Sequence, residues 1–199
     1  KIEAGIEIGM EKFKSEISKG AVYDQTTNNN NVAAEQIKIL SNSFYKEILP
    51  QRNLEGANIE KNLTAIYRGV TISGTLDFSR EGEIRDLKTT MKGHYIAQFG
   101  GYSLMNRTKY GGTTKIAKAD CIPRTKTSAV YPGAIVKSFN PAIAERCAME
   151  VLDSIIDSGN KFLKDGNPAA FPANPNSTLC KNIYCKAHST KFCKYGRPN

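Results

Sequence analysis

Apolar side chains recur at Ile2, Ile6, Met10, Phe13 and Ile17, a spacing that predicts an amphipathic helix over residues 2–19. Glu3, Glu7 and Glu11 fall four apart on an adjacent face of it. The polar run 24–31, DQTTNNNN, interrupts the pattern as a loop. Residues 32–49 return to helical spacing, and Pro50 ends that helix. The period then shortens. Residues 57–67, 70–78 and 83–88 are short runs rich in β-branched side chains, broken by Gly69, Gly74 and Gly82, and predict a strand meander with a tight turn at Glu81-Gly82. A third helix is predicted over 95–106 and two further strands over 117–123 and 134–139. Pro141 suits the first turn of a last helix reaching about Leu163. Beyond it, 167–176 holds three prolines and reads as an extended tether. The order α, α, β, β, β, α, β, β, α predicts an α/β fold with a central mixed β-sheet flanked by helices, followed by a cysteine-containing C-terminal tail.

Composition sets the scale. The 199 residues suit one domain over 1–166, with a Pro/Cys-rich tail over 167–199 expected to pack on it. No run of about 18 apolar residues encodes a membrane span, and no secretory leader pattern is present, so a cytoplasmic protein is expected. The net charge of +9 is unevenly spread. Arg107, Lys109, Lys115, Lys118, Arg124 and Lys126 share their segment with one acid, Asp120, and Lys181 to Arg197 holds five basic residues and no acid. A basic surface of this kind either binds a polyanion, by releasing counterions from phosphates, or is simply solvated. Lys115, Lys118, Arg124 and Lys126 are the candidate DNA contacts.

The candidate chemistry lies in the central hairpin. Asp86 and Lys88 are two apart on one predicted strand and share a face. The turn at Glu81-Gly82 folds Asp77 back beside them. Leu76, Phe78, Ile84 and Leu87 alternate around the acids and are expected to embed them at the edge of the core. Two carboxylates suit a hard cation such as Mg²⁺. Such a cation activates water and clamps phosphate, while an ammonium neutralises developing charge. An ordinary surface hairpin with a cross-strand Asp–Lys pair is the alternative.

The run Gly74-x-x-Asp77, then Asp86-x-Lys88-Thr89, then Gln98-x-x-x-Tyr102 resembles the PD-(D/E)XK nucleases, specifically their RecB-like, phage-type exonuclease branch. The resemblance implies a restriction-endonuclease-like core and a deoxyribonuclease dependent on Mg²⁺ or Mn²⁺, with exonucleolytic rather than endonucleolytic cutting. It implies metal ligation by Asp77, Asp86 and the Leu87 carbonyl, assistance by Lys88, and Gln98 and Tyr102 orienting the DNA backbone or Lys88. It further implies a phage or prophage recombination role in a bacterial or phage-infected cell, beside a single-strand annealing or recombination partner. The chain departs from the family in its first helix, where Gly-x-x-x-His is usual. With Gly5 as anchor, Gly9 stands at the His position and Phe13 at the following Glu position. Glu7 or Glu11 then becomes the candidate further ligand. If instead that stripe is a solvated face, the alternative is a weakened or inactive DNA-binding protein that retains the nuclease fold.

Five cysteines make an odd set. Cys121 and Cys147 sit in apolar patterns as core thiols. Cys180, Cys185, His188 and Cys193 offer three thiolates and an imidazole, a set that suits tetrahedral Zn²⁺. The resemblance adds a second occupant, because some RecB-like relatives hold an iron–sulfur cluster with one upstream and three C-terminal cysteines. Reduced, packed thiols are the plain alternative, and an interaction module working through this tail is a rival reading of the chain. His94 reads as structural or DNA-facing.

Overall fold

The computed structural model of the protein describes residues 7, 10–12, 14–16, 18–19, 30–90, 95–124, 131–166 and 170. The tail cysteines, His188, His94, Lys126 and the proposed tail boundary lie outside the described residues. Residues 7, 10–12, 14–16 and 18 are helical, as the apolar stripe predicts.

Helix α1 spans Asn30–Ser43. The single helix predicted over 32–49 is not regular to its end. Phe44–Ile48 forms a π-turn in which the Leu49 N–H donates to the Phe44 carbonyl, and Leu49–Gln51 follows as a 3₁₀ turn. Pro50 lies inside that last turn, where its missing N–H leaves no bond unmade. The consequence is local. The wide turn shifts the facing of Phe44 and Tyr45 relative to α1, and wide turns of this kind recur at functional sites.

Five strands follow: β1 Asn58–Tyr67, β2 Val70–Arg80, β3 Glu83–Lys88, β4 Ile116–Cys121 and β5 Ile135–Phe139. They lie side by side in chain order. The pairs β1–β2, β2–β3 and β4–β5 are antiparallel, whereas β3–β4 is parallel. A parallel step needs a crossover, and α2, Ile96–Tyr110, supplies it. The result is the expected α/β architecture, a mixed sheet flanked by helices. Helix α3, Pro141–Asp165, begins with Pro141 in its first turn and with the Asn140 side chain accepting from the Ile143 N–H.

Helix α2 packs against β1, β2 and β3 on one side and against α3 on the other. Leu63, Ala65, Ile84, Phe99, Leu104 and Ala144 form the core between them. Gly100 makes the helix contact possible. A Cβ there would stand 1.9 Å from the Ala144 carbonyl oxygen and 2.7 Å from the Ala148 Cβ.

On the opposite face of β3 lies a buried ionic chain that sequence patterning did not reveal. Arg80 bonds Glu83 at 2.7 Å, Glu83 bonds Arg85 at 2.7 Å, Arg85 bonds Asp120 at 3.0 Å, and Asp120 bonds Arg52 at 2.7 Å. Arg85 also donates to the Gln51 carbonyl at 3.2 Å, tying the 3₁₀ turn to this face. Burial by itself would raise the Glu83 carboxyl, but its bonds to Arg85 and Arg80 overcome that and hold it below the usual range. Cys121 is buried and Cys147 half-buried, both as free thiols. Among the described residues no helix is long and apolar enough to cross a membrane.

Candidate active site

The β2–β3 ladder pairs Phe78 with Arg85, Ser79 with Ile84 and Arg80 with Glu83 across the turn at Glu81-Gly82. Gly82 takes the left-handed conformation that this turn requires, with φ 70°. One step beyond the Phe78–Arg85 pair, away from the turn, stand Asp77 and Asp86. The β1–β2 ladder also skips Asp77, and Glu60, the residue facing it, has φ 47°. This break in the edge ladder frees Asp77 from regular pairing. Its Oδ2 instead accepts the Leu87 N–H at 2.7 Å.

Asp86 and Lys88 share the face of β3 that looks toward α2, as alternation predicts. Asp86 is 3% exposed. Burial pushes its carboxyl up, Asp77 beside it adds to the rise, and Lys88 works against both. The Lys88 ammonium contacts Asp86 Oδ2, yet that buried oxygen has no well-directed hydrogen bond. Lys88 Nζ also donates to Gln98 Oε1 at 3.3 Å, and Gln98 Nε2 donates to the Tyr102 hydroxyl at 2.8 Å. The four-residue spacing on α2 places Gln98 and Tyr102 one turn apart and over the hairpin. Burial raises the Tyr102 phenol, so it stays a neutral hydroxyl.

Gly74 has its reason here. A Cβ at that position would lie 2.9 Å from Met105 Cε and 3.2 Å from Tyr102 Cε1. Only a bare backbone lets Tyr102 lie down on β2.

Tyr95 was not singled out by sequence. Its ring carries the Lys88 ammonium at 4.8 Å from the centroid, and its hydroxyl donates to the Thr90 carbonyl at 3.0 Å. An aromatic at the start of α2, seven residues past Lys88, was the available signal. The strand end itself is fixed by two bonds, Ile122 N–H to the Lys88 carbonyl at 2.8 Å and Arg124 N–H to the Thr89 carbonyl at 3.0 Å.

The other candidates are less gathered. Leu76, Phe78 and Ile84 are fully buried, but Leu87 is 39% exposed, contrary to the expectation that it embeds the acids. Its side chain projects from the Arg85 face of β3, at the strand end where the core stops. Glu7 and Glu11 are exposed on their helix. Among the described residues, no group of three or more Asp, Glu, His or Cys side chains is assembled for a metal. Arg124 stands at the Lys88 end of the sheet and contacts Gln36. Lys115 stands at the other end, since β4 pairs Ile116 with Glu83 and Cys121 with Lys88, roughly 16 Å away at about 3.3 Å per residue. Lys118 pairs in register with Arg85, so it belongs to the face opposite Asp86. The basic segment is therefore divided among three places.

The donor set fits a divalent cation. Asp77 spends only Oδ2 on the backbone, and the buried Asp86 Oδ2, which accepts no directed hydrogen bond, lies against the Lys88 ammonium, so the two carboxylates put hard oxygens side by side.

No protein-family model and no curated protein matches the chain. A crystal structure of a protein from Eubacterium rectale, named "putative exonuclease", is similar to it with a TM-score of 0.47 and 16% sequence identity. The similarity covers 73% of this chain and 58% of that one, so the chain spans less than two thirds of that protein's length.

Proposed function

We propose that the protein is a metal-dependent deoxyribonuclease, acting at DNA ends in recombination of the phage or prophage type. One observation carries this reading: two adjacent carboxylates, one of them buried, meet an ammonium that is itself held by a Gln–Tyr pair. Asp77 and Asp86, with the Leu87 carbonyl as a further oxygen, would hold a divalent cation, which would supply Lewis-acid stabilisation of phosphoryl charge. The remaining roles belong to the chain. Lys88 has three N–H donors. Gln98 takes one and the ammonium rests against Asp86, so a hydrogen can still be turned toward a water or a phosphoryl oxygen. Gln98 gives its amide N–H to Tyr102, which turns its oxygen toward Lys88. The Tyr102 hydroxyl, accepting from Gln98, keeps its own hydrogen for a phosphate oxygen. Tyr95 holds the ammonium from below without neutralising it.

The test is incubation with linear and circular DNA in Mg²⁺, in Mn²⁺ and in EDTA. Loss of linear DNA that requires metal is expected, with slower attack on closed circles. Persistence of both DNAs in either metal would overturn the reading. A second reading, a DNA-binding protein with a weakened site, is favoured by the pair of carboxylates lacking a third acid among the described residues. It predicts salt-sensitive DNA binding without cleavage.

A further inference from the structure

The Lys88 ammonium stands where a cation on the acid pair has to bind. It contacts Asp86 Oδ2, an oxygen that is fully buried and accepts no directed hydrogen bond. A carboxylate oxygen in water has lone pairs for two partners. This one has no uncovered side, and part of its cover is the ammonium. A second cation reaches Oδ2 only by displacing that cover. Charge acts in the same direction, because two cations on one carboxylate oxygen repel strongly where water is excluded.

The ammonium also has somewhere to go. Its side chain is 18% exposed, on a stem with four rotatable bonds. Gln98 Oε1 accepts from it at 3.3 Å, long for a charged donor, so a shift toward Gln98 shortens a bond that is now stretched. Gln98 is held in turn by Tyr102 at 2.8 Å. The Tyr95 ring, 4.8 Å from Nζ, attracts the charge without offering an oxygen. We propose that Lys88 is a resident competitor for the divalent cation, covering Asp86 Oδ2 when the cation is away and handed to Gln98 when it enters. The inference rests on the nuclease reading above and deepens it by naming how that site is regulated. The lysine lowers the affinity of the free protein for metal. A phosphate that draws the ammonium off Asp86 relieves the competition, and by linkage cation and phosphate promote each other's binding.

The experiment measures Mn²⁺ binding to the whole chain without DNA, from the paramagnetic resonance of the free ion, so it does not depend on cleavage. Mildly alkaline buffer keeps protons from competing for the acids, and the binding counted is that lost in Asp86→Asn. Wild type, Lys88→Met, Gln98→Leu and the double variant are compared, each first melted in EDTA to confirm folding. Lys88→Met is expected to bind Mn²⁺ about tenfold more tightly, within the usual range of coupling between sites. Gln98→Leu lacks the receiving oxygen and should bind several-fold more weakly than the wild type. In the Lys88→Met background the same Gln98 change should have no effect, a non-additivity that a lysine acting only through its charge does not produce. Equal Mn²⁺ affinity in wild type and Lys88→Met would overturn the proposal, as would a Gln98 effect of one size in both backgrounds. Should Lys88→Met fail to fold, Lys88→Gln takes its place. Metal-dependent cutting with unchanged Mn²⁺ affinity removes the competition and leaves the nuclease. The expected Mn²⁺ pattern without cutting of any DNA keeps the competition and removes the nuclease.

Discussion

Asp86 combines burial with a second carboxylate at its side, an arrangement that favours the protonated acid in the folded chain. The sign follows from linkage. Its folded value is raised, so stability falls as pH climbs from the ordinary Asp range through that raised value, and the cost persists at neutral pH. Asp86→Asn removes the charge and keeps the shape. It should abolish cleavage, yet melt at or above the wild-type temperature in metal-free neutral buffer. A bound cation reverses the ranking, because a ligand that binds only the folded state stabilises it. Mg²⁺ or Mn²⁺ should therefore raise the melting temperature of the wild type and leave Asp86→Asn unmoved. Thermal melts in EDTA and in metal check both halves, and undiminished turnover by folded Asp86→Asn would remove Asp86 from the site.

Two glycines separate stability from positioning among the elements. At Gly100 the space for a Cβ is taken by the Ala144 backbone, which cannot rotate away. Gly100→Ala should cost at least the ~1–3 kcal/mol of an overpacked core and push α2 off α3, measured by urea denaturation. At Gly74 the obstacles are the tips of Met105 and Tyr102. Gly74→Ala should cost less than Gly100→Ala but displace Tyr102, so cleavage falls several-fold in a protein that remains folded. Equal stability losses in the two variants would show that the helix contact is softer than its geometry implies.

The buried ionic chain joins β2, β3, β4 and the 3₁₀ turn into one body and, through Arg52, holds the Phe44 ring. Asp120→Asn takes the carboxylate away from Arg52 and leaves Arg85 with Glu83 alone. Breaking a buried pair in this way costs about 3–5 kcal/mol, and chemical denaturation should read it. Acid acts on the same chain through Glu83. Its folded value is lowered, so its contribution is complete above the usual Glu range and is lost as pH falls through the lowered value. Acid unfolding should come at higher pH in Asp120→Asn than in the wild type. Across the whole surface, the net charge of +9 predicts DNA affinity that falls steeply with salt. A log–log slope steeper than roughly −3 corresponds to several phosphates neutralised. Because Lys115 and Lys118 lie away from the Lys88 end, replacing Arg124 should reduce that slope more than replacing Lys115. A flat salt response would mean that these cations are merely solvated.

Hydrophobic period alone determined the element order, the hairpin turn and the face shared by Asp86 and Lys88. These are local matters, set by alternation along β3 and by Gly82 in a two-residue turn. The four-residue spacing of Gln98 and Tyr102 likewise placed them on one side of a helix. What sequence could not decide were the relations that cross the chain. The π-turn at Phe44–Ile48 has the same apolar content as a regular helix, so period does not reveal it. Arg52, Arg80, Glu83, Arg85 and Asp120 look like surface charges until a parallel step between β3 and β4 closes them around one another. The basic segment reads as one patch in sequence, but β4 alternates its faces and runs the length of the sheet, and so divides it. Tyr95 meets Lys88 only because α2 returns over the hairpin, with Gly74 leaving room for Tyr102 to follow. Short-range sterics and alternation are written residue by residue, whereas packing between distant segments is chosen by the fold as a whole.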